Sequence, residues 1–310
     1  MSLNEDNANA EKSWELSPRL LRMMNEATRL EAAQKAKPGP TGFTTSFLVQ
    51  ATFPHSDPKS NYFERGTDWL KLSITAPPHI GIPYGSLPRL LLTWICTEAV
   101  KTQNPVIGLG ASQAAFLKKL GLHNDGRYIG KLKDQMLRLI GSVISVTRNR
   151  SGALATENMI VTKKALLFWD AKPSNGEKWE STITLSADLF EAIISSPVPL
   201  KIEALISLRH SPLAMDVYVW LVYRMYTLRH SKRSETRIPI KSLRKQFGER
   251  YATDNQGARD FKKNFVKRLN EALIFYPEAC GHVMIDREHL TLTKAELHIS
   301  QKRTQPYLTK

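Results

Sequence analysis

Gly257–Tyr276 reads GARDFKKNFVKRLNEALIFY. Wound as a helix, it puts Phe261, Phe265, Leu269, Ala272 and Tyr276 on one stripe. Arg259, Lys263, Lys267 and Asn270 fall on the opposite face, with Lys262 at its edge. One side is built to be packed, and the other is cationic with an amide among the cations. On an isolated helix such a face is most often simply solvated. The neighbours change the reading. A short basic helix, Lys241–Phe247, carrying Lys241, Arg244 and Lys245, precedes the stretch, and an alternating segment, His282–Thr293, follows it. Helix, turn, longer helix and hairpin is the order of a winged helix, whose second helix enters the major groove of DNA.

The charge distribution supports a polyanionic partner. The chain of 310 residues has 44 basic and 29 acidic side chains, a net +15. Residues 1–80 are balanced at 9 and 9, residues 81–150 carry 10 basic and 3 acidic, residues 151–200 carry 4 and 6, and residues 201–310 carry 21 and 11. Two basic blocks separated by a slightly acidic piece suggest two surfaces facing a polyanion. A membrane partner is not expected. No apolar run reaches the roughly 18 residues of a spanning helix, and the basic helices keep no apolar face for lipid once the core is assigned. The polar start, MSLNEDNANAEKSW, is not a secretory signal. The two cysteines, Cys96 and Cys280, lack ligand-spaced neighbours, which argues against zinc and fits two buried thiols in a reducing compartment.

Taken in order, residues 1–16 read as disordered. Ser17-Pro18 opens a helix running to about Lys35, stopped by Pro38-Gly39-Pro40. Thr44–Phe53 and Asp68–Ala76 alternate as strands. Ser86–Val100 is an amphipathic helix with Trp94 inside, and Val106–Leu109 is a strand. Ser112–Leu120 is a helix closed by Gly121, and Arg127–Ile140 is a second helix. On this last one, Ile129, Leu132, Met136 and Ile140 face in, while Arg127, Lys131, Asp134 and Arg138 face out, with Asp134 spaced to pair with Arg138. Strands follow at Val143–Arg148, Met159–Phe168 and Trp179–Leu185, then a helix at Ala187–Ser195 capped by Ser186 and ended by Pro197.

The order then repeats. Pro212–Leu228 is an amphipathic helix around Trp220, Arg237–Ile240 a strand, and Lys241–Phe247 a helix closed by Gly248 ahead of the long basic helix. Trp94 to Gly121 is 27 residues and Trp220 to Gly248 is 28, and each glycine suits the left-handed residue that ends a helix. Order, spacing and charge together read as an internal duplication of a winged helix.

Gly81-Ile-Pro-Tyr-Gly-Ser-Leu-Pro-Arg-Leu-Leu-Leu92, followed by Trp94, resembles the signature of the plasmid-encoded RepA family of replication initiators. Ala51-Thr-Phe-Pro-His55 and Ser211-Pro-Leu-Ala-Met-Asp-Val-Tyr-Val-Trp-Leu-Val-Tyr-Arg224 resemble other blocks of that family, in the same order. The resemblance spans roughly residues 45–300. It implies a cytoplasmic bacterial protein that binds repeated double-stranded origin sites (iterons), helps open the origin and recruits the host initiator and helicase machinery. It also implies two winged-helix domains, the second making the main base contacts and the first contacting DNA and mediating a homodimer. The expected architecture is therefore α+β. Residues 1–43 form a partly disordered arm with one helix, 44–198 a first winged-helix domain, 199–300 a second, and 301–310 a basic tail. Helix faces assign Arg259, Lys262, Lys263, Lys267 and Asn270 to the main reader, joined by Lys241, Arg244 and Lys245 from the preceding helix. They assign Arg127, Lys131 and Arg138 to the second contact set. For self-association the Leu20–Leu30 helix or the Asp68–Ala76 strand is the expected surface.

None of the eight histidines forms a His-x-His pair for a nicking metal, and no Gly-x-x-x-x-Gly-Lys-Ser/Thr loop is present. Gly108-Leu-Gly110 lacks the third glycine of a dinucleotide fingerprint and fits a tight strand-to-helix turn. The chain reads as a binder without cofactor or metal rather than an enzyme. A repressor with the same domains, or a nicking enzyme or primase at the origin, are the competing readings.

Overall fold

The computed structural model describes residues 17–37, 39–50, 52–67, 69–150, 153–167 and 181–299. Residues 1–16, the tail 301–310, Phe168 at the end of the expected Met159–Phe168 strand and the start of the expected Trp179–Leu185 strand lie outside the described residues. The chain divides into two units, residues 1–39 and residues 40–310. The boundary expected between residues 198 and 199 thus runs inside a single compact unit.

In the first unit, helix α1 (Pro18–Ala36) opens as expected: the Ser17 hydroxyl accepts from the Leu20 amide at 3.4 Å, and Pro18 takes the first helical position. Glu26–Arg29 and Glu31–Lys35 pairs line its surface, where Leu21 and Met24 are exposed.

The second unit begins with β1 (Thr41–Thr45), which turns directly into α2 (Ser46–Gln50). The strand expected over Thr44–Phe53 is therefore cut short. Its partner is β9 (Pro197–Lys201), and the antiparallel register ends at Thr45 opposite Pro197. Beyond that pair residues 46–50 have no neighbouring strand, and a short apolar run carries no periodicity that tells strand from helix. Pro197, expected to stop the helix that does end at Ser195, also opens β9.

Next come β2 (Tyr62–Gly66), β3 (Leu70–Thr75), α3 (Ser86–Thr102), β4 (Val106–Gly108), α4 (Gln113–Lys119) and α5 (Gly126–Ile140). They are followed by β5 (Val143–Arg150), β6 (Ala153–Ile160), β7 (Thr162–Leu166), β8 (Thr182–Leu185), α6 (Ala187–Ser195), and α7 (Ile202–Ser207) after β9. The run expected as one strand, Met159–Phe168, is broken at the buried Val161: β6 pairs with β5, whereas β7 pairs with β8. Strand β3 is hydrogen-bonded on both sides, in the order β2-β3-β5-β6. It has no free edge, so association through this strand would have to use a face of the sheet and not strand pairing.

The chain ends with α8 (Pro212–Arg229), β10 (Glu235–Pro239), α9 (Ile240–Phe247), α10 (Asn255–Ile274), a 3₁₀ turn at Pro277–Ala279, β11 (Val283–Ile285) and β12 (His289–Thr293). Helices α3 and α8, expected to be amphipathic, are buried on nearly every side. A helix that is apolar all round belongs in the interior, and these two are the central struts of residues 40–310. Trp94 on α3 packs edge-on to Phe116, and Trp220 on α8 packs edge-on to Phe247 and Phe265. Cys96 is buried, but Cys280, just after the 3₁₀ turn, is exposed rather than internal.

The two matching glycines do different work. Gly121 has φ +65 and takes the left-handed conformation that ends α4. Gly248 has φ −106. It is needed for space, because a Cβ there would stand 2.8 Å from the Arg244 carbonyl oxygen and from the Phe261 ring.

Candidate nucleic-acid interface

Helix α10 starts at Asp254, whose carboxylate accepts from the Gly257 amide at 2.7 Å. An acid at this end also complements the helix dipole. Phe261, Phe265, Leu269, Ala272 and Tyr276 are buried, as the stripe requires. Phe265 lies within 5.8 Å of Phe247 and 5.6 Å of Phe261, ring centre to ring centre. Burial of such side chains contributes roughly 1.5–3 kcal/mol each, so the helix cannot rotate without losing several of them. Its opposite face is thereby fixed. Arg259, Lys263, Lys267 and Asn270 are exposed on it. Among the described residues no carboxylate pairs with these three cations.

Lys262 is placed differently. It is half-buried, and its ammonium donates to the backbone carbonyls of Asp286 (2.8 Å) and Arg287 (3.2 Å) in the β11–β12 turn. A lysine at the margin of a helix can lay its long stem along the neighbouring element, so its ammonium is engaged by the turn. On α9, Lys241 and Lys245 are exposed. Arg244 folds back to donate to the Ala252 carbonyl, bracing the loop that leads into α10. Lys262, expected at the edge of the α10 face, and Arg244, expected to join it from α9, are thus both engaged by backbone carbonyls.

Helix α5 is capped by Asp125, which accepts from the Tyr128 amide at 2.9 Å. Leu132, Met136 and Leu139 are fully buried, and Ile129 and Ile140 are half-buried. Arg127 and Lys131 are exposed, with Lys133 beside them. Arg138 is not free. Its Nε sits 3.0 Å from both carboxylate oxygens of Asp134, the i,i+4 pair its spacing suggested. Its guanidinium also donates to the Ile82 carbonyl and stands 5.3 Å from the centre of the Tyr84 ring. That side chain braces the Gly81–Gly85 loop, leaving Arg127 and Lys131 as the expected contacts that remain available on α5.

A buried ionic cluster, absent from the sequence reading, ties these elements together. Asp216, on α8, accepts a fork from Arg89, on α3, at 2.6 and 2.7 Å. It also accepts from Thr52 at 2.8 Å and from His55 at 2.9 Å. Arg89 donates further to the Phe53 and Gly85 carbonyls, both at 2.6 Å. Arg65 continues the chain, donating to Thr52 at 2.7 Å and to Glu249, in the loop before α10, at 2.9 Å. Burial alone would raise the Asp216 carboxyl, but the Arg89 charge and the bonds from His55 and Arg89 outweigh it and hold the group below the usual carboxylate range. Burial pushes the His55 imidazole down to about 4 against the pull of Asp216, so it stays neutral and donates. The three sequence blocks quoted above, 51–55, 81–92 and 211–224, meet at this cluster. A lone arginine inside PRLLL and a lone aspartate inside AMDVYVW were the signals that could have found it.

Residues 82–239 match the sequence model of a family described as plasmid encoded RepA protein. Two solved structures share the fold. Domains 2 and 3 of RctB, as selenomethionine derivatives, superpose with a TM-score of 0.52 at 11% identity, covering 83% of this chain and 97% of that one. A second structure of RctB domains 2–3 gives 0.50 at 11% identity, covering 81% and 98%. No curated protein matches. The family match spans half of the chain, and the chain belongs to the plasmid-encoded RepA family.

Proposed function

We propose that this member of the plasmid-encoded RepA family initiates replication by binding duplex DNA at repeated sites of its plasmid origin, with α10 as the helix that enters the major groove. Membership of the family supports the role in replication initiation. The observation that carries the binding mode is the rotational locking of α10: its aromatic stripe is buried against Trp220 and Phe247, so Arg259, Lys263, Lys267 and Asn270 are presented together to solvent. Arginine is suited to the guanine edge and asparagine to the adenine edge, while lysines neutralise phosphates. The order α8, β10, α9, α10, β11, β12, with β12 between β10 and β11, supports a winged-helix reading of this half. Arg127 and Lys131 on α5 supply the second, backbone-directed contact.

In this reading the protein acts in the bacterial cytoplasm as a binder. It helps open the origin, associates with a second copy, and recruits the host initiator and helicase machinery. Autorepression follows from the same surface if an iteron lies in the gene's own promoter. Two experiments test the reading. The protein should shift a duplex from its plasmid's own origin at concentrations that leave a scrambled duplex free. Supercoiled origin plasmid incubated with protein and magnesium should stay unnicked. Equal affinity for both duplexes removes sequence-specific recognition, and nicking removes the pure binder in favour of an origin endonuclease.

A further inference from the structure

The β11–β12 turn is fastened to the helices beside it from several directions. Lys262, on α10, donates to the Asp286 and Arg287 carbonyls at 2.8 and 3.2 Å. The Asp286 carboxylate accepts from the Glu288 and His289 amides, both at 2.7 Å, and its second oxygen lies 3.2 Å from the Arg237 guanidinium of β10. The Ile240 amide, at the start of α9, donates to the Glu288 carbonyl at 2.7 Å. A two-stranded turn held only by its own ladder would move freely relative to a neighbouring helix. Here the ties fix it against the helix whose cationic face is already locked in rotation.

Arg287 stands at the exposed tip of this fixed turn. Among the described residues no carboxylate pairs with it, since Asp286 is engaged by Arg237. With Lys262 and Arg237 counted, three cations face two acids, Asp286 and Glu288, so the assembly remains positive. Lys262 lies at the edge of the α10 face, one step round from Arg259 and Lys263. It therefore ties the turn to the flank of that face.

We infer that Lys262 is a positioning residue: by holding the β11–β12 turn on α10 it places Arg287 against the phosphate backbone beside the groove that α10 enters. This rests on the reading of α10 as the groove-entering helix. Lys262 itself contributes no phosphate contact, because its ammonium is held by two carbonyls of the turn. Arg287 contributes a sequence-independent one.

The test is a double-mutant cycle on the full chain, read by fluorescence anisotropy on the origin duplex and a scrambled duplex over about 50–200 mM salt. Arg287→Ala should weaken binding to both duplexes about fivefold and lower the salt slope by roughly one, the signature of one lost phosphate. Lys262→Met should give the same loss and slope, and the double variant should be no weaker than either single one. Lys262→Arg, which can still donate to both carbonyls, should recover most of the binding. Losses that multiply in the double variant, with the slope down by two, would show Lys262 to be a contact in its own right and overturn the inference. Unchanged binding in Arg287→Ala overturns it as well, and that exposed turn residue reports even if Lys262→Met is poorly folded. A wild-type protein that shows no salt-dependent duplex binding is a different failure: it sinks the reading of α10 before any variant is compared.

Discussion

The stretches α3–β6 and α8–β12 present the same order of elements: a buried tryptophan helix, a short strand, a helix ended by glycine, a basic helix and two strands. They close differently. In the second stretch β10 pairs with β12, which pairs with β11, so the first strand and the final hairpin form one sheet beside the basic helix. In the first, β4 pairs with β8, far along the chain, and the β5–β6 hairpin extends the β2–β3 sheet instead. The cations follow the closure. On α10, Arg259, Lys263 and Lys267 stay free while Lys262 fastens the hairpin; on α5, Arg138 is drawn into the Gly81–Gly85 loop. Local pattern fixes helices and their faces, whereas the strand that completes a sheet is chosen by non-local packing. A self-closed stretch can hold a rigid reading surface. A stretch whose strands are shared with its surroundings is scaffold first.

The largest effect that would test this comparison is ionic strength. If both α10 and α5 face phosphate, six to ten contacts are neutralised, and affinity should fall by about 10³–10⁵ between about 50 and 200 mM salt. A slope of only one or two ions in a titration would mean that one stretch alone touches DNA. The next effect is on folding. Asp216→Ala strands the Arg89 guanidinium in the interior, which costs about 3–5 kcal/mol. Because Arg89 and Asp216 sit on the two central helices, one from each stretch, denaturant unfolding should stay a single transition that moves to lower concentration. Two transitions, with only one displaced, would show that the two stretches fold independently.

Acid should act through two buried neutral histidines packed against α8. Burial holds His55, beside Asp216, and His298, beside Glu278, at about 4 in the folded protein. The unfolded chain takes up these protons near 6.5, so folding must exclude them as pH drops. Stability should therefore decline from about pH 6.5 towards 4, and Asp216, whose carboxyl is depressed, adds its loss only below its unfolded value of 3.8. Thermal melts of His55→Gln and His298→Gln separate the two imidazoles, since each variant should flatten part of this decline. A melting temperature of the parent protein that is constant across that window would show that neither imidazole is held neutral.

Much of the helical architecture was legible because its signals are local. Ser17, Ser112, Ser186 and Ser211 each accept from the amide three residues on, as capping residues should. The α10 stripe followed from spacing alone. Three things were not legible, the first two because their partners are distant in sequence. The β1–β9 pair is set by residues more than 150 positions apart. The Arg89–Asp216 fork joins two segments that each read as apolar helix with one stray charge. Lys262, Arg138 and Arg244 have side chains long enough to turn back to backbone carbonyls, and helix phase reports where a Cβ points, not where an ammonium or guanidinium ends.

The smallest effect divides base reading from backbone contact. Arg259 and Asn270 lie on the locked, exposed face of α10, so Arg259→Ala and Asn270→Ala should each cost about 1–3 kcal/mol on the origin duplex and little on a scrambled one. Lys131, on α5, lies on a face from which Arg138 has been withdrawn and where Asp134 places an acid. Such a surface can neutralise phosphate but offers few groups to a base edge. Lys131→Ala should weaken both duplexes alike and lower the salt slope by roughly one. All three side chains are exposed, so none of the substitutions should lower the melting temperature measurably. Binding curves of the three variants on both duplexes decide the assignment. Loss of sequence preference in Lys131→Ala, with preference intact in Arg259→Ala and Asn270→Ala, would make α5 the reader and reduce the self-closed stretch to an anchor.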